Sequence, residues 1–208
     1  MLSYQTVESH TLELLRKLSK EAFLSEVRLV GGTALALQYG HRNSVDLDFF
    51  GKIEIDDEIL KERLADMGSL SVIKESSNIK IYLINDIKVD FVNYKYVWID
   101  SAIEVDDLHL ASPKDIAAMK INAIEGRGTK KDFIDMYFLL QHYSLQEIFG
   151  FYAEKYPENS IFRALMSLSY FEDAETQFMP QMFIDVEWED IKLFIENKVN
   201  VFAQKADR

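Results

Sequence analysis

The chain has 208 residues, 48% of them hydrophobic, no cysteine and a formal net charge of −12. That length and apolar fraction allow one large domain, or a core with a helical appendage, and exclude a wholly disordered chain. Without cysteine there is no disulfide framework and no thiolate zinc site, so any metal rests on oxygen or imidazole, and the negative charge argues against a broad nonspecific coat of nucleic acid.

The opening MLSYQTVESHTLELL has neither the basic start nor the continuous apolar core of a signal peptide, and no apolar run reaches membrane-spanning length. Together these predict a cytoplasmic protein with no membrane partner. Leu12, Leu15, Leu18 and Ala22 recur at helical spacing and predict a first helix from about Val7 to Phe23. Val27–Val30 suits a short strand, running into Gly31-Gly32 and then TALALQY, a helix ended by Gly40. Alternation over Val45–Phe50 predicts a second strand, and Asp56 caps a helix to about Met67. IKIYLI and IKVDFVNY flank Asn85-Asp86, two residue types that tolerate positive φ, which predicts a hairpin. Leu108–Ala111 reads as a short extended segment.

From there the pattern is helical. Ser112-Pro113-Lys114-Asp115 opens a helix to about Glu125, Thr129 and Asp132 open one to about Gln141, and Ser144 with Glu147 opens a third. Two more are expected near Ile161–Phe171 and Glu187–Ala203. The chain therefore divides into an α/β core, residues 1–110, and a helical region, residues 111–208. No Pro/Gly-rich linker separates the two, which predicts that they pack together.

Within VDLDFF, Val45, Leu47 and Phe49 point one way and Asp46 and Asp48 the other, their Cα atoms roughly 6.5–7 Å apart. Carboxylates so placed can converge on a hard cation, or simply form the polar face of a half-buried strand. LVGGT brings a strand to a glycine pair and a helix start, which either offers free N–H groups to a phosphate or is only a tight turn. Asp90 interrupts the apolar IKVDFVNY on the face it shares with Lys88 and Val92. Beside VDLDFF it completes a three-carboxylate cluster; alone it is an edge aspartate. Between residues 114 and 131, Lys114, Lys120, Arg127, Lys130 and Lys131 stand against Asp115 and Glu125, a basic island that fits a polyanion or a solvated helix end. His10, His41, His109 and His142 lack paired metal spacing and read as surface or packing residues.

A glycine pair, thirteen residues, D-L-D-F and an acid on a later strand resemble the signature of the nucleotidyltransferase superfamily. More closely, LVGGTALALQYGHRNSVDLDFF (residues 29–50) with SPKDIAAMKINAIEGRGTKKDFIDMYFLL (residues 112–140) resembles the AbiEii/AbiGii group of nucleotidyltransferase-like toxins. The resemblance implies an α+β fold: a mixed sheet of the nucleotidyltransferase type with flanking helices and a helical C-terminal half. It implies transfer of a nucleoside monophosphate from an NTP to an acceptor hydroxyl, the acceptor end of tRNA among the candidates, by the toxin of a toxin–antitoxin or abortive-infection pair with a cognate antitoxin. Gly31, Gly32 and Thr33 would hold the triphosphate. Asp46 and Asp48 would coordinate Mg²⁺ or Mn²⁺, and Asp90 would bind one ion near the attacking hydroxyl. Lys120 matches a helix lysine that neutralises triphosphate charge. Arg127, Lys131, Asp132 and Asp135 match the block that follows, with Asp135 the most catalytic in character and the other three nucleotide-binding. From the residues alone, Lys120 is a surface lysine of an amphipathic helix, Asp132 a capping acid and Lys131 a complement to nearby acids. Two other functions remain open: a non-catalytic NTP-binding or protein-interaction module of the same fold, and a phosphoryl or pyrophosphoryl transferase.

Overall fold

The structure, a computed structural model, describes residues 1–206. Asp207 and Arg208, the end of the expected helical region, lie outside the described residues. Met1–Tyr96 and Ser101–Ala111 group into one unit, and Val97–Asp100 with the chain from Ser112 into another.

The first unit runs α1 (Ser9–Leu18), β1 (Val27–Val30), α2 (Gly31–Tyr39), β2 (Leu47–Gly51), α3 (Asp57–Ala65), β3 (Leu70–Glu75), β4 (Ile79–Ile84), β5 (Ile87–Asn93), β6 (Ile103–Val105) and β7 (Leu108–Leu110). The strands form one mixed sheet in the order β3-β4-β5-β2-β1-β7-β6. Its centre is β1 antiparallel to β2 and β2 parallel to β5. The β4–β5 hairpin turns on Asn85 and Asp86, both at positive φ (50° and 65°), matching the right-handed strand twist. Gly40 closes α2 in the left-handed conformation, and the Asp56 carboxylate caps α3 by accepting from the Glu58 N–H at 2.9 Å.

One sheet face is apolar. Leu47 and Phe49 of β2, Val89 and Phe91 of β5 and Tyr82 of β4 are buried, and Phe49 stacks on Phe91 at 5.6 Å. Burial of each such side chain contributes roughly 1.5–3 kcal/mol. The first helix ends at Leu18, five residues earlier than predicted, because the chain straightens at Glu21 before a separate 3₁₀ turn over Ala22–Leu24. β3 and β6 were not expected. Ser71 to Glu75 of β3 are all exposed, so no alternation of burial marks that strand.

The second unit contains α4 (Pro113–Gly126), α5 (Lys130–His142), α6 (Leu145–Lys155), α7 (Ile161–Ser167), α8 (Glu172–Glu175) and α9 (Trp188–Ala206). The Ser112 hydroxyl accepts from the Asp115 N–H at the start of α4, and Ser144 with Glu147 makes a capping box on α6. α7 is shorter than predicted, since the N–H groups of Ser169 and Tyr170 bond three residues back and end it in a tight turn. Val97–Asp100 is tied to α4 and α6 by an ion pair with no solvent exposure. Lys155 Nζ lies 2.8 Å from Asp115 Oδ1, donates to the Val97 carbonyl at 2.6 Å and sits 4.7 Å over the Trp98 ring. Asp115 also accepts from the N–H groups of Ile99 and Asp100. No helix among the described residues is long and apolar enough to cross a membrane.

Candidate active site

The glycine turn between β1 and α2 owes both of its glycines to side chains that approach the backbone. Gly31 has φ +68°, and a Cβ there would stand 2.4 Å from Asp48 Oδ2. At Gly32 a Cβ would stand 2.3 Å from Nη2 of Arg42, a buried guanidinium that also donates to the Asn43 carbonyl. The pair therefore seats an aspartate on one glycine and an arginine on the next, at a helix start whose first N–H groups lack intrahelical acceptors.

Asp48 and Asp90 are register partners on the parallel strands β2 and β5. Parallel neighbours lie about 4.8 Å apart and partners share a face, so the two carboxylates stand side by side, opposite the face that holds Phe49 and Phe91. Asp46 precedes the strand. Alternation predicted β2 from Val45, but β2 starts at Leu47: β1 gives way to α2 after Val30, the partner of Asp48, and the Asp46 carbonyl is taken instead by the Thr33 hydroxyl. Thr33, expected at the phosphates, is 1% exposed and turns that hydroxyl inward, 2.8 Å from Ser44 Oγ as well. Ser44 in turn donates its N–H to the Thr6 carbonyl. The strand entry is thus fixed by the Thr33 hydroxyl on the Asp46 carbonyl and by the Ser44 N–H on Thr6, contacts that periodicity could not identify.

Asp90 Oδ1 lies 2.6 Å from Lys88 Nζ. Lys88 and Asp46 both line a cleft of about 530 Å³ with Glu8, His10, Lys17 and Asp86. Among the described residues no three histidine, aspartate or glutamate side chains already stand as a metal-ligand group. The donor chemistry nevertheless fits a hard divalent cation, because two carboxylates share one face in register and a third stands two residues before Asp48, ahead of the strand.

In the second unit, Lys120 is buried, not a surface lysine. Its Nζ lies 2.9 Å from Asp132 Oδ1 and 2.6 Å from Asp135 Oδ2. Asp132 also caps α5, accepting from the Thr129 hydroxyl at 2.6 Å and N–H at 3.3 Å, and meets Arg127 Nε at 3.3 Å. Burial opposes ionisation of Asp132, but Lys120, the Thr129 hydroxyl and Arg127 together hold its carboxyl below the ordinary value. The cations of the basic island are largely engaged inside the unit. Lys114 pairs with Asp100, Lys120 with Asp132 and Asp135, and the buried Lys130 donates to the Glu175 carbonyl beneath Trp188. Arg127 and Lys131 are the exposed members.

A glycine turn opening a helix, a mixed sheet and carboxylates on its paired central strands define a nucleotidyltransferase fold. Residues 13–197 match the family described as nucleotidyl transferase AbiEii toxin, type IV toxin–antitoxin system, and the chain belongs to that family. It is 33% identical over 200 residues to an uncharacterized protein of Aquifex aeolicus (strain VF5), covering 92% of this chain and 95% of that one. Its fold is similar to MenT4, the nucleotidyltransferase toxin Rv2826c of Mycobacterium tuberculosis H37Rv (TM-score 0.59, 13% identity, 91% of this chain and 80% of that chain). It is also similar to JHP933 of Helicobacter pylori (TM-score 0.55, 17% identity, 97% and 95% coverage). The chain is thus an enzyme of the nucleotidyltransferase class, from a toxin family.

Proposed function

We propose that this protein moves a nucleoside monophosphate from an NTP to an acceptor hydroxyl in the cytoplasm, with Asp46, Asp48 and Asp90 holding Mg²⁺ or Mn²⁺. The observation that carries this reading is the register of Asp48 with Asp90 on one sheet face, with Asp48 seated on Gly31 at the start of α2. In the reaction the acceptor hydroxyl gives up its proton to solvent as its oxygen bonds to the α-phosphorus, the bond from that phosphorus to the bridging oxygen breaks, and pyrophosphate leaves with the electron pair. Bound divalent cations supply charge stabilisation for the attacking and leaving oxygens. The chain's own part is to present Asp48 and Asp90 from one sheet face with Asp46 just ahead of the strand, and to offer the N–H groups of the Gly31-Gly32 turn to the phosphates.

Lys120, Arg127, Lys131, Asp132 and Asp135 are proposed to serve nucleotide binding, Lys120 from within its ion cluster and Arg127 and Lys131 as exposed cations. The acceptor end of tRNA is the first acceptor to try, and the opposing partner is a cognate antitoxin. The test is incubation with each α-³²P-NTP or γ-³²P-NTP, Mg²⁺, and total cell RNA or protein. Label from α-³²P and none from γ-³²P in the acceptor is the expected result. Label from γ-³²P alone would replace nucleotidyl by phosphoryl transfer, and no label with either would favour the binding module.

A further inference from the structure

Lys88 stands two residues before Asp90 on β5 and shares its face. Its ammonium lies 2.6 Å from Asp90 Oδ1, with 38% of the lysine side chain exposed against 18% for the aspartate. Lys88 and Asp46, the residue just before β2, both line the 530 Å³ cleft. That volume lies within the roughly 300–1,000 Å³ of small-molecule sites. The cleft's other lysine, Lys17, is 2.8 Å from Glu13 on its own helix. An ammonium therefore stands against Asp90, one of the carboxylates proposed to hold a divalent cation, and itself lines an opening large enough for a nucleotide.

We infer that Lys88 is a substrate-binding residue with two successive partners. Without a divalent cation it neutralises Asp90. When a cation takes that carboxylate, the ammonium turns into the cleft and meets the phosphate chain of the NTP. Two positive groups at one carboxylate oxygen repel, so the cation and Lys88 compete for Asp90. The flexible four-carbon stem lets the ammonium leave, and phosphate oxygens are strong acceptors for it. The inference rests on the carboxylate site proposed above.

The test uses the full chain with Lys88→Met and Lys88→Arg. Binding of Mn²⁺ alone is followed by loss of the free-ion paramagnetic resonance signal. Binding of each α,β-methylene NTP in Mn²⁺ is followed by calorimetry. Lys88→Met is expected to bind Mn²⁺ alone about three- to fivefold more tightly, the scale of one partly exposed ion pair. It is expected to bind nucleotide about tenfold or more weakly, the scale of one charge-assisted contact. Lys88→Arg should keep nucleotide affinity near wild type. A purely structural lysine cannot produce changes of opposite sign. If Asp48→Asn abolishes Mn²⁺ binding while Lys88→Met alters neither affinity, Lys88 has no such role and the carboxylate site stands. A parallel loss of both affinities that Lys88→Arg does not restore also overturns the inference. Mn²⁺ binding untouched by Asp48→Asn removes the carboxylate reading and Lys88 with it.

Discussion

At Gly31 two constraints coincide: a left-handed φ and an aspartate oxygen where a Cβ would go. Gly31→Ala is therefore expected to lose about 1–3 kcal/mol by denaturant unfolding and to displace Asp48, weakening Mn²⁺ binding even in the fraction that stays folded. A stable variant with unchanged Mn²⁺ affinity would detach the glycine turn from the carboxylates. Thr33 makes a different claim. Its hydroxyl bonds the Asp46 carbonyl and Ser44, and we propose that it positions Asp46. Thr33→Val removes the hydroxyl from a half-buried carbonyl, at a cost of about 1–3 kcal/mol, and should lower kcat more than it raises KM for NTP. Thr33→Ser keeps the hydroxyl and should restore both. If instead KM alone rises in Thr33→Val, the hydroxyl touches the nucleotide after all.

Elements announced by caps and turns were legible because their signals are local: Asp56, Ser112, Ser144 and Thr129 each open a helix, and Asn85-Asp86 turns a hairpin. What stayed hidden depends on contacts distant in sequence. Asp115 reads as a capping acid, but its carboxylate accepts from the Ser112 hydroxyl, and nothing local reveals that it also receives the N–H groups of Ile99 and Asp100 and the charge of Lys155. The one available signal was periodicity, since Lys155 continues the buried row of Ile148 and Tyr152 on α6. Removing one member of such a pair strands the other charge, so Asp115→Ala should destabilise by about 3–5 kcal/mol. Asp115→Asn combined with Lys155→Met keeps an acceptor and removes the stranded charge, and should recover most of that loss in urea unfolding. Asp132 offers a test by pH. Its carboxyl is held below the ordinary 3.8, so it contributes stability above that value, and the contribution fades as pH falls through 3.8 toward the folded value. The melting temperatures of wild type and Asp132→Asn should differ most near neutrality and converge on acidification. A constant gap would mean that shape, not ionisation, is what Asp132 supplies.

For the whole molecule, the net charge of −12 and the internal engagement of Lys114, Lys120 and Lys130 leave little free positive surface in the stretch that the sequence marked as a basic island. An RNA acceptor would then meet Arg127 and Lys131 there, and Lys131→Glu should reduce the salt dependence of RNA modification by about one counterion. Whether chemistry or binding underlies toxicity separates on one substitution. Asp48 faces solvent only in part and lies on the polar face of β2, so Asp48→Asn removes a charge without opening a cavity and should leave the fold intact. Expressed alone in a bacterial host, the wild type is expected to slow growth, while Asp48→Asn at equal abundance is not. RNA from the wild-type culture should carry added nucleotides that are absent from the mutant culture, and coexpression of the antitoxin should restore growth. Equal growth arrest by both proteins, with RNA ends unchanged, would make the carboxylates irrelevant to toxicity and would move the harmful activity from nucleotide transfer to binding.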